Sequence, residues 1–143
     1  MDKKTVTITM CAIKPLLIIT AVTMLTACEG KTLDRYRAKV ITINDKVCVL
    51  IDAKDNEHLN LIEINSFDNA QNTFRKFYSM EDKAIPLSRN QCVPLFDYPF
   101  KEGRAYGVSI GTFIKPAAKM GGRNFIATFT LYRVDGKLMA TRI

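Results

Sequence analysis

The strictest pattern in the sequence runs from Ala105 to Ile114, where residues that are mostly small alternate with Tyr106, Val108, Ile110, Thr112 and Ile114. A period of two is typical of a β-strand that buries one face. Shorter alternating stretches recur from residue 36 onwards, and no stretch of ten residues there has the spacing of an amphipathic helix. The sequence therefore predicts an all-β domain over residues 36–143.

Turn signals divide this domain into about eight predicted strands. Asn44, Asp45 and Lys46 separate the first two, and Asp135-Gly136 before the last one is a strong signal for a type I′ hairpin turn. Prolines at 86, 94 and 99 confine the middle of the domain to sheet edges and connections. The predicted extended segments are 36–43, 47–51, 59–64, 73–78, 84–87, 91–93, 105–114, 124–134 and 137–142.

So many short strands in little more than a hundred residues favour a β-sandwich, because two packed sheets bury alternate residues of every strand. We expect an immunoglobulin-like topology, and a small barrel is the competing architecture. The segment Glu102–Val108 is typical of a turn into a strand that carries a tyrosine corner at Tyr106. The alternative for Tyr106 is an ordinary core aromatic residue.

The first 27 residues have the pattern of a secretory signal. Lys3, Lys4 and Lys14 precede an uncharged apolar stretch, Pro15–Ala27. This stretch is shorter than the ~20 apolar residues of a transmembrane helix. Residues 1–27 are therefore predicted to be cleaved, whether translation starts at Met1 or at Met10.

The end of this signal resembles the lipobox of bacterial lipoproteins. Leu25, Thr26 and Ala27 precede Cys28, which would carry the lipid and become the new N-terminus. Several acyl chains on one cysteine give a stable membrane anchor. Residues 28–35 then form a lipidated tether, and Glu29, in place of the aspartate that marks inner-membrane retention, favours the periplasmic face of the outer membrane.

Charge limits the partners of the exported domain. Cleavage removes three lysines and one aspartate, so the formal net charge falls from +7 to +5. The basic residues are scattered, and a nucleic-acid partner is not expected in the periplasm. An acidic protein or anionic lipid headgroups are the partners that this charge fits.

Two cysteines, Cys48 and Cys92, remain after Cys11 is cleaved away and Cys28 is acylated. The periplasm is oxidising, so we expect a disulfide, which for a loop of about 45 residues would stabilise the fold by roughly 4 kcal/mol. Metal binding is the alternative, but two cysteines and one histidine do not supply four ligands for structural zinc.

Catalysis is not expected. His58, in a polar segment, is the one histidine of the sequence, and no nucleophile elbow, zinc-protease motif or phosphate-binding glycine loop is present. We therefore predict no catalytic residues, no metal, no cofactor and no small-molecule substrate.

Function is instead expected from a protein–protein surface on a connection between strands. The loop 115–122 is rich in glycine and basic residues, although it could be a solvated loop without a partner. The candidate residues are Lys115, Lys119, Met120, Arg123 and Arg104, with Arg75 and Tyr78 of a basic, aromatic strand as a second candidate.

Several short motifs together resemble the type VI secretion immunity lipoproteins of enterobacteria. They are Cys48, the segment Asn90–Pro94, Tyr98–Phe100, Gly103–Val108 and the final hairpin. The resemblance implies an antidote that binds and blocks a toxin delivered to the periplasm, with a phospholipase as the preferred toxin. The alternative is an envelope structural or assembly lipoprotein that has no toxin partner.

Overall fold

The computed structural model describes residues 34–79, 84–115 and 122–143. Within these residues the fold is all-β, as predicted, and no helix is long and apolar enough to cross a membrane. The signal segment, Cys28, Lys119 and Met120 lie outside the described residues. The strands are β1 Arg35–Arg37, β2 Lys39–Ile43, β3 Lys46–Leu50, β4 Glu57–Ser66, β5 Asn69–Phe77, β6 Ala105–Ile114, β7 Asn124–Val134 and β8 Lys137–Arg142.

Six strands form one mixed sheet in the order β1-β7-β6-β4-β5, and β8 pairs with the remaining part of the β7 edge. Strand β1 runs parallel to β7 at residues 124–126, whereas the other pairings are antiparallel. The β2–β3 hairpin is a separate two-stranded sheet. The predicted first segment, 36–43, is thus divided at Ala38 between two sheets.

Both tight hairpins have the predicted turns. Asn44 and Asp45 have φ of 50° and 59°, and Asp135 and Gly136 have φ of 50° and 76°. Positive φ at both central residues is the mark of a type I′ turn, which asparagine, aspartate and glycine tolerate best.

The core lies on one face of the six-stranded sheet. In β6, Tyr106, Val108 and Ile110 are buried, as predicted, and they lie beside Phe129, Ala127 and Phe125 of β7. Val49 of β3 and Leu87 and Val93 of the extended segment 84–100 belong to the same core and complete its second side. The alternation of β6 changes at its end, where Phe113 is buried and stacks on the His58 ring while Ile114 is half-buried.

The predicted disulfide is confirmed. Cys48 and Cys92 are bonded, with their Cα atoms 5.1 Å apart. Beside it, the Val93 amide N–H donates to the Val49 carbonyl oxygen at 2.8 Å. The bond therefore attaches the proline-rich segment 84–100, which forms a single β-bridge at Pro86 and no strand, to the β2–β3 hairpin.

Tyr106 is both a core residue and the centre of a corner contact. Its side chain is 2% exposed, and its hydroxyl accepts a hydrogen bond from the Lys101 amide at 2.8 Å. The immunoglobulin-like topology itself stays a prediction, because the second layer consists of one hairpin and the segment 84–100.

Strand β5 is one edge of the sheet, and its pairing with β4 is irregular. Between the pairs Ile64–Phe74 and Ser66–Asn69, four β5 residues, 70–73, lie opposite one β4 residue, Asn65. The Tyr98 hydroxyl donates to the Asn72 carbonyl oxygen of this stretch at 3.0 Å. All of these pairings, the core and the disulfide lie within one compact unit, Leu33–Ile143.

Candidate functional site

The second face of the six-stranded sheet, opposite the core, carries the candidate site, and we call it the open face. The alternation that buries Val108 and Ile110 directs Gly107, Ser109 and Gly111 to this side of β6. Strand register then fixes the neighbours. One row across the face runs from Phe77 through Leu61 and Gly111 to Asn124, and the next runs from Arg75 through Glu63 and Ser109 to Ile126.

Glycines in β6 allow larger side chains from neighbouring elements to lie across the open face. A Cβ atom on Gly107 would be 3.3 Å from Phe67 Cζ, and one on Gly111 would be 3.3 Å from Leu61 Cβ. Glycine within a strand often marks such a close approach. The small residues that the sequence places on one side of β6 thus create a shallow trough with Phe67 resting in it.

Most of the exposed large apolar side chains lie on this face. Phe67 is 57% exposed and Phe77 is 67% exposed. By strand alternation, six of the eight large hydrophobic residues that are exposed in the described chain are on the open face: Phe67, Phe77, Tyr132, Val134, Met139 and Ile143. A concentration of apolar residues of this kind marks an interaction surface.

The size of the open face is that of a protein-binding site. The sheet is five strands wide, because β1 and β8 share the same edge of β7. Four strand spacings of about 4.8 Å and a length of about 34 Å for ten residues give the face an area of roughly 650 Å². A standard complex buries about 800 Å² on each partner. The face can therefore supply most of one side of a stable interface.

Several charged and polar groups on the open face have partners within the fold. Arg75 Nε lies 3.5 Å from Glu63 Oε2, and Asn65 donates to Glu63 at 2.9 Å. At the rim, Arg104 Nε lies 3.8 Å from Asp68 Oδ2, next to Phe67. A partner that covers this face therefore leaves these charges paired, which keeps the cost of their desolvation low.

The segment 75–78, predicted as one candidate, is divided between two surfaces by strand alternation. Arg75 and Phe77 lie on the open face. Lys76 and Tyr78 lie on the other side, where the Lys76 ammonium is 4.3 Å from the centroid of the Phe96 ring and Tyr78 stacks on the same ring at 6.3 Å. Tyr78 therefore packs at the margin of the core, away from the open face.

Arg123, another predicted binding residue, is held inside the fold. Its side chain is 12% exposed, and it forms an ion pair with Glu57, whose side chain is completely buried. Nε donates to Glu57 Oε1 at 3.0 Å and Nη2 donates to Glu57 Oε2 and, at 2.9 Å, to the Asp52 carbonyl oxygen. The guanidinium also lies 4.7 Å from the Phe125 ring centroid. Arg123 thus joins β7 to the start of β4.

The Glu57 carboxylate has a complete set of hydrogen-bond donors. Burial alone would raise the pKa of Glu57, but hydrogen bonds from Arg123, from the Lys54 amide and from the Thr112 hydroxyl, together with the Arg123 charge, bring it below its ordinary value. Sequence reasoning missed this cluster. The signal was present, because Glu57 is in phase with Leu59, which faces the core.

Other predicted residues are distributed around the molecule. Lys115 is exposed, and its amide donates to the Asn56 carbonyl oxygen at 3.0 Å. The predicted loop 115–122 begins there, at the end of the sheet that also holds Glu57 and Arg123. Arg104 lies at the rim of the open face. The structure does not gather these residues into a single site.

Two grooves lie away from the open face. One, of about 730 Å³, is lined by residues 53–58 and 86–89, and in it His58 Nδ1 lies 2.8 Å from the Asn56 carbonyl oxygen. The other, of about 880 Å³, separates the β2–β3 hairpin from residues 92–100 and has Ile43 on its rim. In the part of the chain that the structure describes, no three His, Cys, Asp or Glu residues are grouped to hold a metal ion.

A family model described as a domain of unknown function (DUF7480) matches residues 35–133. The chain belongs to this family. The match begins with β1 and ends one residue before the end of β7, so the DUF7480 range contains both disulfide cysteines, the Glu57–Arg123 pair, Phe67 and Phe77. No curated protein and no solved structure matches the chain. The family description carries no activity, and it does not mention the immunity lipoproteins that the sequence resembles.

Proposed function

We propose that this DUF7480 chain is an immunity lipoprotein that binds and neutralises a toxin of the type VI secretion system. The toxin would dock on the open face. The observation that carries this proposal is the concentration of exposed apolar side chains there, among them Phe67, Phe77 and Tyr132.

Two features support a location in the periplasm. The first is the Cys48–Cys92 disulfide, since such bonds form and persist in oxidising compartments. The second is the lipobox-like sequence that ends at Cys28. A tether on the periplasmic face of the outer membrane would place the chain where a delivered phospholipase meets its substrate.

The composition of the open face supports a protein partner. Aromatic residues that fill pockets on a partner dominate binding energy, and they are usually surrounded by residues that exclude water without adding much affinity. Phe67 and Phe77 have the exposure that such anchors need, and the threonines and small residues of β6 and β7 fit the surrounding role.

We propose a binding role rather than catalysis. Of the titratable residues that line the polar groove, Glu57 is held by Arg123, and His58 Nδ1 lies against the Asn56 carbonyl group. General acid–base catalysis needs such a group to be free to exchange a proton with substrate. A blocking protein needs a surface alone, and the open face provides one.

The experiment is co-expression with the protein encoded by the adjacent gene, exported to the periplasm, followed by a binding measurement with the purified pair. Wild-type chain should restore growth. The double variant Phe67→Asp and Phe77→Asp should fail to restore growth and should weaken binding at least a hundredfold, about 2.7 kcal/mol. The control is Ile43→Asp, which changes an apolar residue that is 47% exposed at the second groove.

Three outcomes would contradict the proposal. If export of the neighbour is harmless, the chain is better explained as an envelope assembly lipoprotein. If the open-face variant protects as well as wild type while Ile43→Asp does not, the partner binds the groove beside the disulfide. If the wild-type chain carries no labelled palmitate, and Cys28→Ser does not change its location, the lipid anchor is wrong.

A further inference from the structure

A cluster of exposed cations lies where the chain enters the fold, and we call it the cationic edge. It consists of Arg35 and Arg37 of β1, Lys39 at the start of β2 and Arg142 at the end of β8. All four are exposed. Arg37, Lys39 and Arg142 line one small pocket of about 310 Å³, and its other residues are Ala38, Val40, Ala127 and Thr128. Three cationic residues thus line one pocket that has no acidic residue in its lining.

The ion pairs of the described residues leave the cationic edge out. Arg75, Arg89, Arg104, Arg123 and Arg133 each lie within 4 Å of a carboxylate. None of the ion pairs found in residues 34–79, 84–115 and 122–143 includes a member of the edge. The nearest acidic residue along the sequence is Asp34, next to Arg35. The edge therefore presents more positive charge than the fold itself uses.

We propose that the cationic edge binds the anionic phospholipid headgroups of the membrane to which the chain is tethered. Six residues lie between Cys28 and Arg35, and a fully extended chain spans these seven Cα–Cα steps in at most about 25 Å. Because β1 is the first strand after the tether, a lipid on Cys28 would hold the cationic edge close to the membrane. Basic residues next to a lipid anchor commonly supply the second contact with a membrane.

Strand register places Arg35 and Arg37 at one border of the open face, beside Asn124 and Ile126 of β7. The edge lies where β1 and β8 border β7, whereas Phe77 is on β5, at the opposite end of the strand order. Four strand spacings of about 4.8 Å separate the two borders by roughly 19 Å. A domain that rests on its cationic edge therefore holds Phe77 away from the lipid surface, where a protein can reach it.

The inference uses the proposed lipid tether for its geometry, but its test does not depend on that tether. Residues 28–143, with Cys28→Ser and a conventional cleavable signal, contain the whole compact unit and carry no acyl group. The probe is a vesicle of 30% phosphatidylglycerol in phosphatidylcholine, compared with pure phosphatidylcholine, in 0.1 M NaCl. The chain should bind the anionic vesicles. It should lose most of that binding in 0.5 M NaCl, because the distance over which charges attract each other becomes shorter as the salt concentration rises.

Charge-matched variants locate the contact. Replacing Arg35, Arg37 and Lys39 with glutamine should lower the partition coefficient about a hundredfold, at about fivefold for each cation. The control replaces three other exposed cations, Lys46, Lys54 and Lys115, with glutamine and so removes the same charge. It should lower the coefficient less than threefold, and both variants should keep the wild-type melting temperature.

Two results would overturn the inference. Equal loss in both triple variants would show that net charge, rather than the edge, attracts the vesicles. If the wild-type chain shows no preference for anionic over neutral vesicles, the inference is wrong. If the exported neighbour protein then binds through Arg35, Arg37 and Lys39 in a salt-sensitive way, the edge is a site for an acidic protein. Palmitate labelling separately reports whether the tether is present, so its failure is distinguishable from failure of the edge.

Discussion

Substitution of Arg123 by methionine should destabilise the domain more than any exposed charge change, because it leaves the Glu57 carboxylate buried without a counter-charge. Methionine keeps much of the side-chain volume but removes the donors to Glu57 and to the Asp52 carbonyl group. Breaking one partner of a buried ion pair typically costs about 3–5 kcal/mol. For a domain of this size the melting temperature should fall by at least about 10 °C.

The matched control is Arg89→Met. Arg89 Nε lies 2.7 Å from Asp52 Oδ1, but the two side chains are 64% and 78% exposed, so this pair should contribute less than about 1 kcal/mol. The double variant Glu57→Gln, Arg123→Met should regain part of the loss, because it removes the uncompensated charge.

Unfolding in urea at pH 7, followed by far-ultraviolet circular dichroism, measures all of these chains, since the sequence has no tryptophan. Equal loss in Arg123→Met and Arg89→Met would refute the reasoning. So would a double variant that is less stable than Arg123→Met, because then packing rather than charge compensation would dominate the cluster.

Three further outcomes are expected. The pKa of Glu57 is lowered, so its ionised form stabilises the fold at pH values above the ordinary pKa of 4.5, and this contribution is lost as the pH falls through the folded-state pKa. When the pH is lowered below about 4.5, the urea concentration at the unfolding midpoint should therefore decrease in wild type and decrease less in Glu57→Gln. Replacing Cys48 and Cys92 by alanine should cost about 4 kcal/mol in the same assay, and a loss under 1 kcal/mol would show that the bond is dispensable. Tyr106→Phe should cost about 1 kcal/mol because the Lys101 amide loses its acceptor, whereas Tyr132→Phe, whose hydroxyl is exposed, should change stability by less than half of that.

Local patterns predicted the parts of the fold that local physics determines. The alternation over Ala105–Ile114 predicted the buried side of β6. Residue types predicted a turn at Asn44-Asp45 and a type I′ turn at Asp135-Gly136, and both turns have type I′ geometry. The disulfide followed from counting the cysteines that remain after export. Each of these depends on neighbours in sequence or on the compartment alone.

Features that depend on distant pairing could not be predicted in the same way. Arg35 was assigned to the tether, yet it begins a three-residue strand that pairs in parallel with residues 124–126. Phe67 falls between the predicted strands 59–64 and 73–78, and its position over Gly107 requires the register of β4 against β6. Arg123 was expected in a binding loop because the sequence does not show that Glu57, 66 positions away, enters the core beside it.

The irregular pairing of β5 has a consequence for how a partner can bind. A regular exposed edge strand invites a second chain to extend the sheet by strand addition, in which backbone hydrogen bonds supply the affinity. Here the register between Asn69 and Phe74 is interrupted, and the Asn72 carbonyl group already accepts a bond from Tyr98. A strand added at this edge would therefore not find a continuous row of backbone hydrogen-bonding groups. If the chain binds a toxin as proposed, recognition would therefore depend on the side chains that the partner presents rather than on any extended peptide that it can offer.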